Sequence, residues 1–391
     1  MQVLQNKFKR LAIISDCIHM YDAQGNAVTE VHIFCRQMQA LASMFQHTVI
    51  CCPFVQYSTD KVTTAYADKS ISFIPLKNAG GNSLKDKLKL ITNIPGWLKG
   101  FRAASRDADI VYMRFPNNLN IAGFFYFYFK GAKTFATYTG TWQNYAREPL
   151  TYRFQKWLLK HFFKGPAWIY MREAKRGKNL FKGISPSYTL REWNEETDQV
   201  QRRIERIRKN GITVPVFITV GGLNTNKNQQ YILDAFKILH NEGFPFYLYV
   251  VGDGELKQSY NQFVQQNNLQ DCVKICGKKN YTQLRELYRQ SDFLIQATLV
   301  EGFGKVPIEG FFHGVIPLLN NVALSAEMTG DGKRGFTFSA TDVNNVVTLI
   351  KKTTGMQQRL TEMITDGRDY AKAQTLENWA QSYVEKINEY Y

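Results

Sequence analysis

Two glutamates eight positions apart, Glu301 and Glu309, bracket a glycine-containing turn in the stretch Thr298–Glu309, TLVEGFGKVPIE. The apolar run Asp292–Ala297 before it reads as a buried parallel strand. Gly310–Gly314 after it reads as the end of a helix closed by glycine. A strand, a turn and a helix start in that order form an anion site, because the first N–H groups of a helix have no partner within it and the positive end of its dipole points the same way. Carboxylates repel phosphate, so the two glutamates are expected to hold something uncharged beside it. Hydroxyl groups fit, since a carboxylate accepts two at once. Phosphate between two sets of hydroxyls describes a nucleotide sugar.

Glu301 and Glu309 have the spacing of an E-x7-E motif. The stretch EGFGKVPIEGFFHGVIP resembles the donor-site signature of retaining family-four glycosyltransferases, which have the GT-B fold. The resemblance implies that Glu301 fixes the pose of the donor sugar through its hydroxyls and that Glu309 grips the ribose. Gly302, Phe303, Gly304, Lys305 and Val306 would then line the donor site. A second matching block is Thr219–Asn228, TVGGLNTNKN, where a strand ends in a glycine pair and a lysine lies near a helix start. The family carries an arginine straight after the first glycine and a lysine about five residues on, both facing the diphosphate. Lys227 fits the lysine, with a solvated lysine as the plain alternative. Gly222 stands where the arginine would be, which weakens the clamp by ~1–3 kcal/mol unless another charged donor replaces it. Lys305 is a candidate replacement. Val251–Gly254 matches a Gly-Asp-Gly turn, placing Gly252 near the donor, and Gly277–Asn280 matches a loop near the base, placing Lys278 there; ordinary turns give the same pattern.

The resemblance extends to the first half. Gly25 and Asn26 occupy the place of a glycine loop that approaches the diphosphate. Gly140–Trp142 lies where many members carry a histidine, but no histidine stands there in this chain. Arg114 and Trp142 are the acceptor-side candidates, within a basic and aromatic set of Lys85, Lys87, Lys89, Lys99, Arg102, Phe125, Tyr128 and Lys130; Phe125 and Tyr128 are equally readable as core. His19 reads as a loop residue. Asp107-Ala108-Asp109 resembles a D-x-D metal motif but sits before a strand and reads as a helix end. No metal and no cofactor is expected, the nucleotide diphosphate sugar being a co-substrate.

With 391 residues and 44% hydrophobic content, the chain has enough apolar material for two or three domains. The charge of +16 calls for an acidic partner such as a phosphorylated substrate or an anionic membrane. Nucleic acid is not expected, because the aromatics lie in apolar runs rather than interleaved with arginine. The six cysteines show no C-x-x-C and no clustering with histidine, so they read as buried reduced thiols. No signal peptide is visible, and no apolar run approaches the ~20 residues of a membrane span. A cytoplasmic protein, peripheral on the inner face of the cell membrane, is the expectation.

The elements needed to position these residues alternate strand and helix. Leu11–Ile14, His47–Phe54, Ile71–Leu76, Asp109–Phe115 and Thr134–Thr139 read as strands; the stretches about Val31–Phe45, Leu84–Ala104, Ile121–Lys130 and Trp157–Phe162 read as helices. A new sheet begins at Val214 and the alternation repeats. The predicted class is α/β, two Rossmann-like doubly wound domains facing across a cleft as in GT-B. Residues 1–190 would form the acceptor domain, 191–213 a linker helix region and 214–369 the donor domain. A last helix in 370–391 would cross back to the first domain. The implied activity is retaining transfer of a hexose-type sugar to a glycan or lipid-linked glycan acceptor in cell-surface polysaccharide or glycolipid biosynthesis. The rivals are a nucleotide-sugar epimerase of the same fold and a non-catalytic two-domain sugar-binding protein.

Overall fold

The computed structural model describes residues 6–58, 61–78, 84–145, 148–171, 179–322 and 324–391, with the side chains of 84–89 outside that set. The chain divides into two compact units, Met1–Pro186 with Leu376–Tyr391, and Ser187–Thr375.

The first unit contains β1 (Arg10–Ile14), β2 (Met20–Tyr21), β3 (Ala27–Thr29), α1 (His32–Ala42), β4 (His47–Pro53), β5 (Thr64–Ala65), β6 (Ile71–Leu76), α2 (Leu84–Ala104), β7 (Ile110–Phe115), α3 (Asn118–Phe129), β8 (Thr134–Tyr138), α4 (Leu150–His161), β9 (Ala167–Ile169) and β10 (Leu180–Lys182). Its main sheet is parallel, in the order β10-β9-β8-β7-β1-β4-β6. Four of the apolar runs predicted as strands, β8, β7, β1 and β4, form its centre, as burial on both faces requires, and the fifth, β6, is an edge strand with exposed positions. Trp97, Phe101, Phe124, Phe127 and Leu158 bring α2, α3 and α4 onto one face of the sheet. Phe34, Met38 and Leu41 of α1 cover the other, joined by Trp379, Tyr383 and Ile387 of the last helix. In that helix Tyr383 stacks on Trp168 with ring centroids 3.7 Å apart, and its hydroxyl lies 3.0 Å from Thr137 Oγ1.

The loop read between Asp16 and Glu30 holds structure the sequence reading did not anticipate. β2, β3 and β5 form a small antiparallel sheet, and Asp22 closes the β2–β3 hairpin by accepting the N–H groups of Gln24 and Asn26. β9 was also unread; three residues give too short a run for a periodicity to show.

The second unit contains α5 (Leu190–Glu195), α6 (Thr197–Asn210), β11 (Val216–Val220), α7 (Gln229–Asn241), β12 (Tyr247–Val251), α8 (Lys257–Gln266), β13 (Val273–Gly277), α9 (Tyr281–Gln290), β14 (Phe293–Gln296), α10 (Lys305–Phe312), β15 (Ile316–Asn320), α11 (Ser325–Thr329), β16 (Phe336–Phe338), α12 (Val343–Thr353) and α13 (Gln357–Lys372), and α14 (Leu376–Tyr390) returns the chain to the first unit. The sheet is parallel, in the order β13-β12-β11-β14-β15-β16. The segment read as a linker, 191–213, supplies α5 and α6; Val200, Ile204 and Ile207 of α6 are buried in the core of the second unit. Most of its charge lies on the outer face of an amphipathic helix, while Glu196 and Arg203 are buried.

Trp379 is 2% exposed and has no substitute in its layer. Trp379→Ala should cost ~3–5 kcal/mol in urea-induced unfolding, with the loss confined to the transition of the first unit if the two units unfold separately.

Candidate donor site

In the second sheet the strand order reverses between β11 and β14, so the loops leaving their carboxyl ends diverge and open the crevice in which doubly wound sheets bind ligands. Those two loops carry Lys227 and Glu301. Lys227 Nζ donates to Glu301 Oε2 at 2.6 Å, with the side chains 23% and 31% exposed. Asn226 zips the loops together. Its side-chain amide donates to Val300 O and accepts from Val300 N, each at 3.0 Å, and its backbone carbonyl accepts from Leu299 N at 2.9 Å. Asn224 Oδ1 receives the Lys227 N–H at 3.1 Å. Neither asparagine was singled out in the sequence; the Asn-x-Asn spacing just before a helix start was the available signal.

The Glu301 loop delivers Gly304 to the start of α10 with φ 78°, a left-handed conformation that suits glycine, and no side chain caps the helix there. Lys305 and Val306 follow as its first two residues, and Pro307 as the third has no N–H to offer. Gly302 N approaches Glu301 Oε1 at 3.2 Å, and Phe303 is buried, anchoring the turn. Behind the turn lies a small cavity of ≈ 40 Å³ bordered by Thr298, Phe303, Val306, Asn320 and Met328.

The loops after β11 and β12 touch through their backbones. A Cβ on Gly252 would meet Gly221 O at 1.8 Å, and one on Gly254 would meet Leu223 O at 2.4 Å. These glycines are required by close packing of the two loops. At Gly222 the nearest atom to an added Cβ is Asn224 Nδ2 at 3.1 Å, a polar group on a loop side chain. Lys278 is exposed just beyond β13, the outer strand on the β11 side of the reversal.

Glu309, which the resemblance implies as the ribose contact, lies inside α10. It is buried, accepts from Ser187 Oγ at 2.9 Å, and takes the Tyr288 hydroxyl at 3.2 Å. Its position one turn inside α10 puts it against α9 and the chain entering α5. The far end of α10 is held by cations: Arg368 Nη1 donates to Phe312 O, and Arg203 lies 3.4 Å from Gly314 O, as the negative end of the helix dipole favours. His313, closing the helix, is buried between Glu196 Oε2 at 3.1 Å and the Tyr188 hydroxyl at 3.0 Å. Arg285 and Arg289 complete the shell of Glu196 at 2.5 Å each.

The remaining candidates lie in the first unit. Gly25 and Asn26 form the tip of the β2–β3 hairpin, Asn26 being tied to Asp22. Arg114, near the end of β7, donates to Gln37 Oε1 at 3.1 Å and lies 5.0 Å above the Phe34 ring. Trp142 packs edge-on against Tyr138. His19, read as a loop residue, is fully buried among Phe34, Phe54, Tyr66 and Phe73, and burial drives its pKa down to about 4. Asp109 accepts the N–H groups of Lys9 and Arg10, tying β7 to β1. The side chains of Lys85, Lys87 and Lys89 lie outside the described residues.

Residues 201–370 match the model of the family described as Glycosyl transferases group 1. The second unit thus carries a group 1 glycosyltransferase domain. Among curated proteins, an uncharacterized glycosyltransferase of Methanocaldococcus jannaschii is 24% identical over 153 residues, 39% of this chain and 42% of that protein. The chain spans less than half the length of the curated relatives it matches. Among solved structures, sucrose-phosphate synthase of Thermosynechococcus elongatus superposes with a TM-score of 0.71 at 15% identity, covering 97% of this chain and 98% of that one. HepE of Anabaena, in complex with UDP and glucose, gives 0.69 at 13% identity, covering 97% and 99%. The fold is GT-B.

The Glu196–His313 cluster makes a pH prediction. Burial lowers the proton affinity of His313 against the pull of Glu196. Burial raises the pKa of Glu196, but His313, Arg289 and Arg285 outweigh it and hold the carboxyl well below its usual range. A histidine depressed on folding costs stability as pH falls below its ordinary 6.5. A depressed carboxylate loses its contribution as pH falls below its ordinary 4.5. The melting temperature should therefore fall on acidification through both windows. Glu196→Gln should lower it at pH 7 by the equivalent of ~3–5 kcal/mol and flatten the fall below 4.5, as read by calorimetry against pH.

Proposed function

We propose that the chain is a retaining glycosyltransferase that moves a hexose-type sugar from a nucleotide diphosphate sugar to a glycan or lipid-linked glycan acceptor, in the making of a cell-surface polysaccharide or glycolipid. The observation that carries the proposal is the Lys227–Glu301 pair, set where the strand order reverses and beside the uncapped start of α10. A partly exposed ion pair of this kind is worth about 1 kcal/mol, so an incoming diphosphate can draw Lys227 to itself at little cost. Glu301 is then released to accept hydroxyls of the donor sugar. HepE, bound to UDP and glucose in its structure, shows what ligand class this fold carries in another protein.

In the proposed reaction the bond between the anomeric carbon and the diphosphate oxygen breaks, and a bond from the acceptor oxygen forms on the same face. The acceptor proton passes to the departing diphosphate. Charge growing on that oxygen is stabilised by Lys227 and by the N–H groups of Gly304, Lys305 and Val306, which are already aimed before the reaction. Neither glutamate acts as a covalent nucleophile, and no metal or cofactor is required. Gly222 leaves the clamp without the arginine of related sequences; Lys305, at the first position of α10, is the cation proposed to compensate. The protein works in the cytoplasm at the face of a membrane.

A thermal-shift screen against UDP-, GDP-, ADP- and dTDP-sugars should show one nucleotide class raising the melting temperature. With that donor, Lys227→Ala should lower transfer by ~10²–10³-fold with little change in melting temperature. Glu301→Gln should retain nucleotide binding and lose transfer. The anomeric configuration of the product, read by NMR, should equal that of the donor. Donor consumption without an acceptor, yielding an isomerised nucleotide sugar, would replace this reading with an epimerase.

A further inference from the structure

The outer surface of the α2–α3–α4 layer is apolar where a solvent-facing helix layer is normally polar. α3 is apolar on both sides. Phe124 and Phe127 face the sheet and are buried, whereas Phe125 and Phe129 are 39% and 80% exposed. A helix hydrophobic all round is expected to be covered on all sides, and none of the described residues covers the second side, where Phe125 and Phe129 stay exposed. On α2, Ile91, Ile94 and Leu98 are exposed beside it, and the two helices enclose an open apolar groove of ≈ 690 Å³ edged by Lys130. On α4, Trp157 is 47% exposed and stacks with Phe154, while Phe162 packs against it at 4.8 Å. A surface of this extent marks a partner.

The charge on the same face names the partner. Across the sequences of the three helices there are eight Lys or Arg and one acidic residue, Asp86. Among the side chains described, those of Lys99, Arg102, Arg153 and Lys160 are exposed. Lys130 and Lys164, just beyond α3 and α4, are exposed too and lie 5.1 and 4.8 Å above the rings of Tyr126 and Tyr128. Aromatic rings with aliphatic neighbours, ringed by cations, suit a boundary that is apolar at depth and negative at its surface. A second copy of the chain meeting this face with its own would set like charges against each other. Nucleic acid would satisfy the cations but leave Ile91, Ile94 and Leu98 without an apolar partner. Among the described residues no helix is long and apolar enough to cross a membrane, so contact of this face with a bilayer is lateral.

We infer that the outer face of α2, α3 and α4 docks on an anionic lipid bilayer, with Phe129 and Trp157 entering the headgroup region and Lys130 and Lys160 pairing with lipid phosphates. This gives a physical basis to the membrane placement proposed above but uses none of the donor-site geometry, so the two fail separately.

Flotation of the full chain with vesicles tests it, using phosphatidylcholine alone and phosphatidylcholine with about 30% phosphatidylglycerol. Binding is expected to the anionic vesicles at low salt and to weaken as salt approaches ~0.5 M. The double variant Phe129→Ser with Trp157→Ser should lose partitioning by about tenfold or more, and Lys130→Glu with Lys160→Glu should lose it as well. Both variants should keep the parent's melting temperature and its response to the nucleotide sugar, because all four residues are exposed and in the other unit from the donor loops. Absence of vesicle binding at low salt would overturn the inference, as would undiminished binding by the aromatic variant. A concentration-dependent dimer that the aromatic variant abolishes would overturn it too, assigning the face to a second copy.

Discussion

The second unit is organised by a short helix held at one end so that its other end stays open. α10 has eight residues, too few to be stable alone. Its carboxyl end is fastened by Arg368, Arg203 and His313, and its middle by Glu309 against Ser187 and Tyr288. Those contacts leave the amino end without a side-chain cap at the position where the sheet changes its direction of growth. An uncapped helix start is an energetic deficit in an empty protein and an asset for one that binds an anion. The polar residues buried behind α10 are thus the support that lets a weakly held turn be placed accurately.

That division explains why the two motif glutamates have different fates. Glu301 lies on the turn and is paired with a partly exposed lysine. Glu309 lies eight residues on, one turn inside α10, and is drawn into the packing between α9 and α10. Asn226 fixes the distance between the two loops, and the glycines at 252 and 254 allow the neighbouring loop to approach backbone to backbone.

Much of this was legible from residues alone. Runs such as IVYMRF and FLIQ are apolar on both faces, which only a central parallel strand accommodates, and turn glycines between strand and helix mark the carboxyl edge of the sheet. Lys227 and Glu301 were legible because their chemistry is local to those turns. What escaped depends on side chains meeting from distant segments. Glu196 and His313 are 117 positions apart, and Asn226 and Val300 are 74 apart; no periodicity connects them. Residues 191–213 were read as a linker helix region: the helix was legible in its charged periodicity, but not the narrow buried stripe by which α6 packs into the second unit. The small β2–β3–β5 sheet went unread because strands of two or three residues leave no alternating pattern. The exposed rings of α3 showed the opposite problem: an apolar sequence suggests a core, and only the packing shows which rings remain outside it.

Whether an anion is held at the start of α10 is tested most directly by a structure of the protein with a nucleoside diphosphate bound. Phosphate oxygens are expected within hydrogen-bond distance of the Gly304, Lys305 and Val306 amides, with Lys227 turned from Glu301 toward them. A nucleotide bound elsewhere in the chain, with the Lys227–Glu301 pair undisturbed, would contradict that placement.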